Sequence, residues 1–180
     1  MKIKNCLFLL GAAMAVMSSS AFADTMGTQT FTANVVANTC AISGLDASTA
    51  LPDYTRADLK KAGHNSALLP GNFIHTFNVT GCPASVSGMA MTVNYTQAAE
   101  PQGAPVPALT GTGKGVALWL YRTARGANYL RDGDTVKSTI TNGAGSALIR
   151  VDPYGWFPNG DSDIVAGSFT GVINVSFDFT

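Results

Sequence analysis

Gly167-Ser168-Phe169-Thr170-Gly171-Val172-Ile173-Asn174-Val175-Ser176-Phe177-Asp178-Phe179-Thr180 alternates apolar with small or polar side chains up to the last residue. From Phe169 onward the odd positions Gly171, Ile173, Val175, Phe177 and Phe179 fall on one face, the period of two that marks a half-buried strand. No turn signal follows. A core strand at the end of the chain leaves its next pairing partner to be supplied from elsewhere.

The opposite end indicates where this happens. Lys2 and Lys4 precede an apolar run from Cys6 to Met17, and Ser18-Ser19-Ser20-Ala21-Phe22-Ala23 closes it with an A-x-A cleavage pattern before Asp24. Residues 1–23 read as a secretory signal peptide, and their apolar run is shorter than the about 20 residues a membrane span requires. The expected product is an exported chain of one domain, large enough to bury an ordinary core. Eleven basic groups balance eleven acidic ones, and Lys2 and Lys4 leave with the leader, so the exported chain is slightly acidic. Nucleic-acid binding and anionic-membrane binding need a concentrated basic surface, which this charge argues against. Arg122, Arg125, Arg131 and Lys137 are interleaved with Asp132 and Asp134 and read as a solvated hairpin face.

Of three cysteines, Cys6 lies in the leader, and Cys40 and Cys82 remain. An even count in an exported chain implies one disulfide. The other reading, a metal site, needs two further ligands, and only His64 and His75 are present at irregular spacing.

Alternation and punctuation organise the rest. Residues 31–42 form one extended stretch, and 73–82, 89–95, 116–121 and 146–152 read as strands. The segment 54–62 is helix-like, 100–115 is a Pro/Gly/Thr-rich loop, and 153–163 is a second loop carrying Trp156 and Phe157. Short strands between Gly, Pro and Asn clusters, with almost no helix, indicate an all-β sandwich. Catalytic groups are scarce: Glu100 is the single glutamate, and His75 on an apolar strand face reads as a hydrogen-bonded, partly buried histidine. Gly111-Thr112-Gly113-Lys114-Gly115 lacks the glycine spacing, the hydroxyl residue after lysine and the helix of a phosphate loop. The expectation is no enzyme, no cofactor and no metal.

Several of these residues together carry a resemblance. The leader, Val35-Val36-Ala37-Asn38-Thr39-Cys40 near the mature start, a second cysteine after an alternating strand, and Gly115-Val116-Ala117-Leu118 heading a mid-chain strand are similar to bacterial chaperone-usher pilins. So is the ending, with Gly167 fourteenth from the C-terminus and the aromatic Phe179 next to last, where the family usually has tyrosine. The resemblance implies an incomplete immunoglobulin-like sandwich (pilin fold) lacking its last strand, completed by donor-strand complementation. It implies residues 24–36 as an N-terminal extension and 37–180 as the pilin domain. A groove beside the C-terminal strand would be filled first by a strand of a periplasmic pilus chaperone. In the fibre, after passage through an outer-membrane usher, the extension of a neighbouring pilin subunit would replace it.

Carried over by position, the donor face is Gly27, Gln29, Phe31, Ala33 and Val35, or, one register along, a face exposing Met26 and Val36. Good donors present branched apolar side chains, so the glycine and glutamine depart from the pattern. The acceptor groove and C-terminal strand are Gly167, Gly171, Ile173, Val175, Phe177, Phe179 and Thr180, unless these are core residues of a complete sandwich. The function implied is a structural fimbrial subunit, exported through the periplasm and polymerised at the bacterial surface, supporting cell adhesion. The alternative is an adhesive, tip or adaptor subunit that binds a host-cell glycan or protein receptor directly, with Tyr154, Trp156 and Phe157 as its ligand loop.

Overall fold

Two β-sheets face each other around one main core. The computed structural model describes residues 27–35, 40–45, 48–99, 105–123 and 129–180, so the expected leader and Met26 and Val36 lie outside the described residues. The elements in order are β1 (Gly27–Val35), β2 (Ala41–Ser43), β3 (Ser48–Leu51), α1 (Arg56–Ala62), β4 (Ser66–Ala67), β5 (Phe73–Thr80) and β6 (Gly88–Asn94). They continue with β7 (Leu109–Gly111), β8 (Val116–Tyr121), β9 (Thr135–Thr139), β10 (Gly145–Gly155), a 3-10 turn (Asp161–Asp163) and β11 (Phe169–Phe179). One sheet runs β3-β1-β11-β6-β9, with β7 also on β11; the other runs β2-β5-β10, with β4 and β8 on β10.

The alternating segments become strands because each has one apolar face for the space between the sheets. Phe77 and Val79 on β5, Met89, Met91 and Val93 on β6, and Ile173, Val175 and Phe177 on β11 are all buried there. The rings of Phe77 and Phe177 meet edge to face across the sheets, 5.5 Å between centroids. A second, smaller cluster lies under α1, where Tyr54, Leu59 and Leu68 pack with Phe157 and Ile164. That helix starts in a reciprocal cap: Thr55 Oγ1 accepts from the Asp58 N–H, and the Asp58 carboxylate accepts from the Thr55 N–H.

The stretch 31–42 corrects the expectation of a single extended unit. It is divided between β1 in one sheet and β2 in the other. Period-two alternation fixes which side chains share a face and carries no information on where the chain changes sheets. The disulfide Cys40–Cys82 is present, at the foot of the β2·β5 pairing that begins with Ala41 opposite Thr80.

One buried charge holds the centre of the second sheet. Asp152 is fully buried on β10, accepts from the Asn72 N–H at 2.8 Å and pairs with Arg150 Nε at 3.5 Å. The Arg150 guanidinium lies over the Tyr121 ring, 5.4 Å from its centroid. Among the described residues no helix is long and apolar enough to cross a membrane, and no group of three or more His, Cys, Asp or Glu is placed to hold a metal ion.

Asp152→Ala should lower the unfolding free energy by about 3 kcal/mol, since it leaves Arg150 and the Asn72 N–H without their buried acceptor; urea unfolding measures it. Alkaline stability should show the tyrosines. Burial, followed by the Asp132 charge, raises the Tyr95 pKa from 10.0 to about 12, and burial pushes Tyr54 and Tyr121 in the same direction. The unfolded chain then loses phenolic protons before the folded one. Stability is therefore fully present below about pH 10 and should fall as pH rises from there through 12, followed by circular dichroism at graded pH.

Candidate functional site

The edge of β11 decides what this fold can do. Both faces of the strand are set by its alternation, and on one edge it bonds to β6 and β7, with Phe177 opposite Met91 and Thr170 opposite Thr110. Its other edge carries β1 of the same chain, paired in parallel over nine registered positions from Gly27↔Phe169 to Val35↔Phe177. The groove that the sequence leaves open is thus occupied by the chain's own N-terminal strand, which is bonded on its far side to β3 in antiparallel register. An uncovered apolar edge is the costly alternative, and β1 removes it from water.

Of the proposed donor face, Gln29 and Phe31 point into the core at 0% and 1% exposure, between the half-buried Thr28 and Thr30. Gly27, Ala33 and Val35 hold the register positions beside Phe169, Val175 and Phe177. Phe31 is the anchor. It stacks on the His75 ring of the opposite sheet at 4.6 Å and 14°, and meets Phe77 edge-on at 6.2 Å. His75 is itself fixed by a 2.7 Å hydrogen bond between Nε2 and the Gly44 carbonyl. The histidine that the sequence marks as partly buried and hydrogen-bonded is therefore also the platform for the first strand.

Gln29 is the discordant member. Among the described residues neither its Nε2 nor its Oε1 has a hydrogen-bond partner, and it lies beside Gly171 in register. The inner face at that point is apolar: a Cβ built on Gly171 would come within 3.1 Å of Leu109 Cδ2 and 3.3 Å of Leu118 Cδ1. Burying an unpaired amide costs about 1–3 kcal/mol on mutational scales. Gln29 departs from the apolar donor pattern in sequence, and in the structure its amide is buried without a partner among the described residues.

The residues expected to form the acceptor face follow the strand. Gly171, Ile173, Val175 and Phe177 are buried, and Phe179 is half-buried. Gly167 stands where a side chain has no room: its φ is +153°, and an added Cβ would sit 2.3 Å from Thr112 Oγ1 and 2.6 Å from the Gly113 nitrogen. The Thr180 carbonyl oxygen accepts from the Ser87 and Gly88 N–H groups, each at 2.8 Å, which pins the end of β11 to the start of β6.

The proposed ligand loop is dispersed. Tyr154 lies on β10 with its ring 5.8 Å from that of Trp119, and Phe157 is 8% exposed in the cluster under α1. Trp156 packs against His64 at 4.5 Å and borders an open cleft of about 530 Å³ with Lys114, Asn159 and Asp163. Asp163 already accepts from the Asn159 N–H at 2.7 Å, and Asp161 pairs with Lys60. Only Trp156 of the three aromatics reaches this cleft.

No protein-family model matches the sequence, and no curated protein matches it. Solved structures do match in three dimensions. The P pilus rod subunit PapA superposes with a TM-score of 0.61 at 15% identity, covering 78% of this chain and 99% of that one. A subunit of a chaperone-usher pilus studied for rod uncoiling superposes at 0.60 and 13% identity, covering 78% of this chain and 87% of the other. The CupB6 tip adhesin from Pseudomonas aeruginosa gives a TM-score of 0.48 at 8% identity over 84% of this chain and 39% of that one. Two facing sheets with the N-terminal and C-terminal strands side by side, in the frame shared with the rod subunit PapA, give this chain the fold of the chaperone-usher pilins.

Proposed function

We propose that the chain is a structural fimbrial subunit, exported through the periplasm and polymerised on the bacterial surface by donor-strand exchange, with cell adhesion as the service of the assembled fibre. The pairing of β1 with β11 carries this reading. One edge of β11 is covered by β1, which residues 36–39 connect along the chain to Cys40. Such a segment is interchangeable with the same segment of another copy, because main-chain hydrogen bonds supply the pairing whichever molecule provides it.

The same edge is the surface that a periplasmic chaperone strand would occupy before assembly and that the extension of a neighbouring subunit would occupy afterwards. An outer-membrane usher would be the place of exchange. Phe31 provides the side-chain component, filling the space between His75 and Phe77 of the opposite sheet. The subunit needs no catalytic group for any of these steps. The likeness in fold to a pilus rod subunit supports this reading, as does the even, alternating apolar face of β11.

Strand addition in trans tests it. A chain lacking residues 24–36 should aggregate or melt non-cooperatively, and a synthetic peptide of residues 24–36 should restore a soluble one-to-one complex with a cooperative melt. A Phe31→Ala peptide should bind at least about tenfold more weakly, given the several kcal/mol such truncations cost in cores. A truncated chain that folds cooperatively without peptide would overturn the proposal.

A further inference from the structure

The self-paired state contains its own weak point. Across β1, the inward side chains described are Phe31, which is stacked and edge-packed, and Gln29, whose amide is fully buried without a partner among the described residues. The site around Gln29 is built for a hydrocarbon: Gly171 lies alongside it, and Leu109 and Leu118 line the space over that glycine. The strand also runs parallel to β11, the pairing mode that is slightly less stable per residue.

We infer that β1 is a placeholder in its own groove, and that the β11 edge is shaped for a strand from a different chain bearing an apolar side chain, in place of the Gln29 amide, beside Gly171. Gln29 is then a specificity-determining residue. It keeps the subunit covered and soluble while leaving the edge open to a better-fitting strand, and it makes this chain a stronger acceptor than donor. A foreign segment with leucine, isoleucine or methionine at that position gains the burial that Gln29 forgoes and leaves no polar group unpaired. This inference deepens the fimbrial reading above and rests on it.

The test uses the mature chain, residues 24–180, and two synthetic peptides of residues 24–36, one native and one carrying Gln29→Met, a substitution close in length that removes only the amide. Displacement of β1 is followed by fluorescence anisotropy of the labelled peptide and by native mass spectrometry. The Gln29→Met peptide should enter the wild-type chain at least about tenfold more tightly than the native peptide, the factor that loss of one buried unpaired group implies. A Gln29→Met chain should melt at a higher temperature and exchange at least about tenfold more slowly.

Equal binding of the two peptides, with exchange of the Gln29→Met chain unchanged, would overturn the role of Gln29 while leaving the strand-accepting edge intact. Entry of neither peptide into the wild-type chain, even on slow warming through its melt, would mean that the edge is permanently closed, and the fimbrial reading would fall together with the inference. The peptide comparison needs no variant chain, so a Gln29→Met chain that fails to fold leaves the test decisive.

Discussion

A strand buried between two sheets must satisfy the hydrogen-bonding groups on both of its edges, because an unpaired backbone amide or carbonyl in that position has no water to turn to. For β11 this demand is met on one side by β6 and β7, which follow from the ordinary antiparallel run of the chain. On the other side the partner is β1, a strand distant in sequence. The sandwich and its core depend on what fills that edge, and here β1 fills it.

The same dependence appears in the core. Phe31 contributes a ring to a stack with His75 and an edge contact with Phe77, and Phe77 in turn meets Phe177 on β11. This row joins the two sheets through aromatic contacts worth about 0.5–1.5 kcal/mol each beyond the area they bury. Removing β1 would open one end of the row to solvent. The packing between sheets and the pairing along the edge are therefore one interaction seen in two directions.

Much of this was legible in the sequence, and the exceptions have physical causes. Strands β5, β6 and β11 were recognisable because each alternates over at least seven residues, and β8 because Val116–Tyr121 is an unbroken apolar run after a Gly-rich turn. Strand β9, Thr-Val-Lys-Ser-Thr, was missed because at the sheet edge it buries only Val136. Strand β10 was read as stopping at Pro153, yet it runs on to Gly155: the proline keeps a place in the strand, and its carbonyl accepts from the Leu68 N–H at 2.9 Å. The polarity of Gln29 was also visible. Hidden from the sequence were the parallel direction of β1 and the stack on His75, since both depend on a contact between segments more than forty residues apart.

The disulfide has a consequence for how β1 holds the β11 edge. Cys40 is fastened to Cys82 beneath β5, and β1 ends at Val35, so residues 36–39 are all the chain that separates the first strand from a fixed point on the body. A tether that short holds β1 near its own groove at an effective concentration on the order of millimolar or above. A strand from another molecule, present at far lower concentration, meets that local excess whenever it approaches. On the fimbrial reading proposed above, self-capture would be fast and replacement slow, and exchange would be quick only where another component of the assembly raised the local concentration of the incoming strand or loosened the hold of the resident one.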